Sequence, residues 1–134
     1  GADSVRYVAV QAGIDPARVA LWGYSYGGYL ATDGSVRDDA PAAAAIGVST
    51  GQAIWNQNDR GRREIPVLMI HGRADTAVSP NSMRDLAANL RRRGATVQTE
   101  TIDVQTHVYD GPVWCDVFRH TRQFLDAHIL AAGE

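Results

Sequence analysis

The six residues Ile65 to Ile70 read IPVLMI, with no polar side chain among them. A half-exposed strand alternates apolar and polar positions, whereas a strand apolar throughout must be covered on both faces. That points to a parallel sheet sandwiched between helices, because parallel strands need long crossovers and the crossovers supply the cover. The rest of the chain provides them. Val5, Val8, Ala9 and Ala12 fall at helical spacing, with Asp3 or Ser4 as N-cap and Gly13 as the stop. Arg18 to Tyr24 (RVALWGY) reads as a short buried strand. A weak helix follows from about Tyr26, interrupted by Gly34 and barred by Pro41. Ala43 to Ser49 suggests a second strand, and the polar stretch Thr50 to Glu64 a loop. Pro80 to Arg93 gives a helix with Met83, Leu86, Ala87 and Leu90 on one face, closed by three arginines that suit a helix C-terminus. Val97 to Asp103 alternates like a half-exposed strand. Val113 to Leu130 carries Trp114, Val117, Phe118, Thr121, Phe124, Leu125, His128 and Ile129 along one stripe, as an amphipathic helix does. Strands alternating with helices predict an α/β fold: one domain over residues 1–134, with a parallel sheet of about four strands and flanking helices.

Composition narrows the function classes. A formal charge of −2 and a pI near 6.1 do not favour a nucleic-acid or acidic-membrane partner. The single cysteine, Cys115, excludes an intrachain disulfide and reads as a buried or semi-buried helical thiol; no metal site is expected. No basic-then-apolar leader opens the sequence, and the apolar stretch near Ala40 to Val48 is too short to span a bilayer. The expectation is a cytoplasmic protein.

The chemistry centres on Gly23-Tyr24-Ser25-Tyr26-Gly27, a G-x-S-x-G pattern between a strand and a helix. This is the arrangement that holds a nucleophilic serine on a sharp turn, with glycines where side chains would clash. A serine nucleophile of this type needs an acid and then a histidine later in the chain. Asp75 lies just beyond the IPVLMI strand, at the edge where open α/β sheets place their sites; Asp103 and Asp110 are rivals. Of four histidines, His71 at the strand end reads as structural, His120 as solvated and His128 as packed. His107, in the loop DVQTHVYDG, is placed to reach both Ser25 and Asp75. It would take the Ser25 proton and return it to the leaving group.

The stretches IDPARVALWGYSYGGYLA, IPVLMIHGRADTAVSPNSMRDLAANLRRRGATVQTE and RQFLDAHI resemble the α/β-hydrolase superfamily. Within it the chain is most similar to the C-terminal catalytic region of the prolyl oligopeptidase family. The resemblance supports Ser25 as nucleophile, Asp75 as acid and His107 as base, with a sheet built from the last four strands of the usual eight. It also brings departures: Val108 stands where glycine usually follows the histidine. No cap domain fits between the second and third strands, and nothing matches the first half of the sheet. The oxyanion hole then keeps the N–H of Tyr26 but lacks its usual second donor, for which Tyr24, Gln52 and Asn56, or a neighbouring subunit, are the replacements considered. An exposed sheet edge predicts a homo-oligomer, dimer or tetramer, with Val5, Tyr7, Val8 and the VALW strand near the contact. The expected activity is that of a cofactor-free carboxylesterase acting on small short-chain acyl esters through an acyl-serine. A peptidase of the same class, or a non-catalytic subunit or fragment working by association, are the alternatives.

Overall fold

The computed structural model describes residues 2–53 and 61–130, so Asn56 lies outside the described residues. Helix α1 (Ala2–Ala9) and a 3₁₀ turn (Pro16–Arg18) lead to strand β1 (Ala20–Tyr24) and helix α2 (Tyr26–Ser35). Strands β2 (Ala44–Val48) and β3 (Pro66–Gly72), helix α3 (Pro80–Arg92), strand β4 (Thr96–Ile102) and helix α4 (Gly111–Leu125) follow. A π turn, Asp126–Leu130, ends the described chain. The strands form one parallel sheet in the order β1-β2-β3-β4.

The apolar run expected to be covered on both faces is covered on both. Val67 and Met69 pack on one side with Tyr29, Met83, Leu86 and Leu90 from α2 and α3. Leu68 and Ile70 pack on the other with Ile102, Tyr109, Val117 and Phe124, the last two from α4. The period-two alternation of strand side chains thus feeds two separate cores from the same six residues.

Four elements depart from their sequence reading, each for a local reason. Helix α1 ends at Ala9, and Gly13, at φ 80°, sits in the loop beyond it. The helix already includes Asp3 and Ser4, so neither is its cap, and Val5, expected at an intermolecular contact, is buried within the chain. Strand β1 is an edge strand, so Trp22 is 39% exposed rather than buried. Helix α2 runs through Gly34, because Asp33 beside it forms a buried ion pair with Arg93 of the α3 terminus at 2.7 Å. The hydroxyls of Thr32 and Ser35, buried on either side of the glycine, bond to the helix carbonyls of Gly28 and Ala31 at 2.9 and 2.6 Å, and one helical glycine costs only ~1 kcal/mol in propensity. Beyond Leu125 the helix widens into the π turn, whose extra residue rotates the stripe: Ile129 is buried while His128, expected to pack inside, is exposed beside Phe124. Cys115 and Phe118 also face outward on α4. Among the described residues no helix is long and apolar enough to cross a membrane.

Candidate active site

Three strand ends converge at the C-terminal edge of the sheet. Ser25 follows β1 with φ 54° and ψ −123°, a left-handed backbone that costs a residue with a side chain about 1–3 kcal/mol. The surroundings over-determine it. The Ser25 N–H donates to the Val48 carbonyl at 2.8 Å, and the Ser25 carbonyl accepts from the Gly28 and Tyr29 N–H groups at 3.0 and 3.2 Å. Helix α2 starts on the next residue, so its first turn folds tightly back on β1. A Cβ on Gly23 would lie 2.1 Å from the Gly27 carbonyl oxygen, and one on Gly28 would lie 2.9 Å from the Gly23 carbonyl oxygen. Gly27 itself would meet nothing within 4 Å. The steric demand expected at Gly23 and Gly27 therefore falls on Gly23 and Gly28.

Ser25 Oγ lies 2.9 Å from His107 Nε2, and His107 Nδ1 lies 2.8 Å from Asp75 Oδ2. The Asp75 carboxyl is buried; its second oxygen, Oδ1, accepts from the Ala77 and Val78 N–H groups at 2.8 and 2.9 Å. Burial pushes the Asp75 pKa up, but the hydrogen bonds from His107, Val78 and Ala77 outweigh it and hold the group below the ordinary carboxylate value. An ionised Asp75 can only accept, so His107 presents Nδ1–H to it and turns a bare Nε2 toward the serine hydroxyl. An imidazole in that tautomer can take a proton from Ser25.

The loop that carries His107 is pinned from behind. The Tyr24 hydroxyl donates to the His107 carbonyl at 2.5 Å, and the Tyr24 and His107 ring centroids are 5.3 Å apart. Tyr109, two residues on, is buried and hydrogen-bonded to Ser49. Tyr24, expected as a replacement oxyanion donor, instead commits its hydroxyl to the histidine loop and does not line the cleft in front of Ser25. Val108, in the place of the expected glycine, points outward at 76% exposed, so the loop accommodates it.

The rivals are engaged elsewhere. Asp103 pairs with Arg73 at the surface, and Asp110 caps α4 by accepting from the Val113 N–H at 3.1 Å. His120, expected in solvent, is mostly buried between Glu100 and Asp116 at 4.0 and 3.8 Å. His71 is buried at the end of β3, against the Val78 carbonyl. Its tie to the Asp75 turn was legible only as the spacing of His71 and Asp75, four residues apart.

In front of Ser25 opens a cleft of about 440 Å³, lined among others by Tyr26, Tyr29, Gln52, Val78 and Ser82. Tyr26 provides the first N–H of α2 beside Ser25, and its ring stacks on Tyr29 at 6.2 Å. Gln52 is held by its own N–H on the Ser82 carbonyl. Among the described residues no group of His, Cys, Asp and Glu side chains could hold a metal ion.

The sequence matches the dienelactone hydrolase family over residues 1–111. The fold is similar to that of P91, a dienelactone hydrolase-like promiscuous phosphotriesterase from metagenomic libraries. The TM-score is 0.78 at 20% identity, covering 93% of this chain and 58% of that one. It is also similar to dipeptidyl peptidase 4 of Porphyromonas gingivalis, with a TM-score of 0.72 at 17% identity over 93% of this chain and 22% of that one. For esterase PE8 the TM-score is 0.71 at 21% identity, over 90% of this chain and 56% of that one. At such identities the likeness shows the α/β-hydrolase fold alone. The chain spans between about a fifth and three fifths of the length of these solved proteins.

Proposed function

The chain belongs to the dienelactone hydrolase family of the α/β-hydrolase superfamily, and from that premise we propose that it is a serine hydrolase: a carboxylesterase acting on small, short-chain acyl esters. The observation that carries the reading is the continuous relay from Ser25 Oγ through His107 to Asp75, with Ser25 lining an open cleft. Ser25 Oγ attacks the ester carbonyl carbon as its proton passes to His107 Nε2, giving a tetrahedral oxyanion and an imidazolium that Asp75 stabilises. The N–H of Tyr26, on the residue after the nucleophile, is the proposed first oxyanion donor. Gln52, which lines the same cleft, is the candidate second donor among the described residues. Collapse expels the alcohol, which takes its proton from His107. Water, deprotonated by the same nitrogen, then attacks the acyl-serine, releases the acid and restores Ser25. Every step uses groups of this chain and water.

Labelling with a fluorophosphonate followed by peptide mapping tests the reading. The probe should mark Ser25 in the folded protein and nothing in Ser25→Ala; folded protein that takes no label at Ser25 would end the proposal. His107→Ala should abolish turnover of a p-nitrophenyl ester while His120→Ala leaves it nearly intact. A peptide anilide run beside the ester separates an esterase from a peptidase, since the harder amide depends more on a complete oxyanion hole.

A further inference from the structure

The proposed reaction leaves one buried titratable group beside its acid without a role. His71 ends β3, four residues before Asp75, and is 1% exposed. Its Nε2 lies 2.8 Å from the Val78 carbonyl oxygen and 3.8 Å from Asp75 Oδ2. No described group hydrogen-bonds its Nδ1. A carbonyl oxygen only accepts, so the ring proton sits on Nε2. Burial pushes the His71 pKa down, with the Val78 carbonyl, Asp75, His107 and Arg84 as the groups that act on it, and the ring stays neutral near pH 7.

Val78 joins His71 to the relay. Its N–H donates to Asp75 Oδ1, its C=O accepts from His71, and it lines the cleft in front of Ser25. The turn over residues 75–78 is therefore held at both ends of one residue, and that turn decides where Asp75 Oδ2 meets His107. We infer that His71 is a positioning residue for the reaction: its Nε2–H, anchored on the Val78 carbonyl, fixes the Asp75 turn so that the carboxylate stays on His107 Nδ1. The inference rests on the serine-hydrolase reading above. A histidine that merely filled the core would matter to stability alone.

The test compares His71→Gln, whose side-chain amide can restore an N–H near Nε2, with His71→Leu, which cannot. With p-nitrophenyl acetate, His71→Leu should lower kcat about 10–100-fold with KM nearly unchanged, the scale expected of a sub-ångström to 1 Å misplacement. The acid limb of its kcat/KM profile should move to lower pH, because a displaced carboxylate stabilises the imidazolium less. Asp75 is faced there by His107, His71, Tyr24 and Tyr109. His71→Gln should recover most of the rate and the wild-type limb. A folded His71→Leu protein with wild-type kcat, an unmoved acid limb, or equal losses in both variants would overturn the role. Should the leucine variant not fold, ¹⁵N spectra of wild-type protein decide. A neutral Nε2–H tautomer of His71 across the acid limb supports the inference; an Nδ1–H tautomer, or titration within that limb, rejects it. Fluorophosphonate labelling of the same wild-type sample reports separately on Ser25, so failure of the hydrolase reading is distinguishable from failure of this one.

Discussion

A histidine held neutral in the interior ties stability to pH in a definite direction. Burial sets the His71 pKa below its ordinary 6.5, and the Val78 carbonyl and Asp75 carboxylate offset this only in part. The unfolded chain then binds more protons than the folded one between the two values. The contribution of His71 is complete above about 6.5 and is lost as pH falls through the window below it. Asp75 works in the same sense at lower pH: its folded pKa lies below 3.8, so its contribution is present above that value and fades as pH falls through the folded one. Between pH 7 and 5 only the first effect operates, at no more than about 1.4 kcal/mol per pH unit. Calorimetric melts should show the wild-type midpoint falling over that range and a flatter dependence in His71→Gln; parallel curves would assign the slope to another group. At this scale much of the candidate site's arrangement is legible in the sequence. Ser25, Asp75 and His107 each sit at a strand end in the required chain order, and strand ends can be read from apolar runs. The job of Tyr24 could not be read, because it depends on the loop after β4 folding back over β1, a contact between residues 83 apart in sequence.

Elements add constraints that single residues do not. The close approach of α2 to β1 is fixed by backbone, since the atoms nearest a Cβ on Gly23 are the carbonyl and amide of residues 27 and 28 and cannot step aside. Gly23→Ala should therefore destabilise the fold by more than about 3 kcal/mol and abolish labelling of Ser25, because the elbow must open to admit a methyl group. Gly27→Ala meets open space in the first turn of α2, and alanine there should be neutral or stabilising by up to about 1 kcal/mol through helix propensity. Urea unfolding of both variants checks the pair; similar losses would show that the elbow needs glycine at both positions. The G-x-S-x-G pattern thus located the turn correctly but misassigned one steric reason, since spacing alone cannot say which first-turn residue of α2 faces the strand. The same limit explains α2 and α4. Propensity flagged Gly34 as an interruption, but the Asp33–Arg93 pair is a tertiary contact invisible in a local window. A 3.6-residue stripe places His128 with Phe124 and Leu125, but the π turn breaks the period just before it. Strands β2 to β4 were legible to within about two residues because their cover on both faces, or on one, writes itself into apolar runs and alternation.

At the scale of the whole molecule the two edges of the described sheet differ. The β4 edge carries Gln98 and Glu100, with the Arg73–Asp103 pair at its end, polar groups of the kind that keep an edge strand from pairing with another chain. Strand β1 itself, Ala20–Tyr24, carries no charged side chain. Beside it Trp22, Trp114 and Phe118 form one aromatic cluster with centroids 5.9–6.3 Å apart, and Trp22 and Phe118 are 39% and 55% exposed. Tyr7 and Val8 of α1 are exposed as well, at 69% and 41%. An uncharged strand with exposed aromatic rings beside it is self-complementary: a two-fold axis near Trp22 would pair β1 with its own copy and stack like rings on like. A formal charge of −2 opposes that approach only weakly. We propose a second copy of this chain as the occupant of the β1 edge. Sedimentation velocity at tens of micromolar should show a dimer or larger species. Trp22→Lys places a charge at the centre of the contact, where removing an aromatic anchor typically costs 2 kcal/mol or more, and should weaken association by about thirtyfold. Because Trp22 lies outside the Ser25 relay, the variant should still take the fluorophosphonate label, so a loss of association with labelling retained isolates the edge. Wild-type protein that sediments as a monodisperse monomer at these concentrations would show that no second copy occupies the β1 edge.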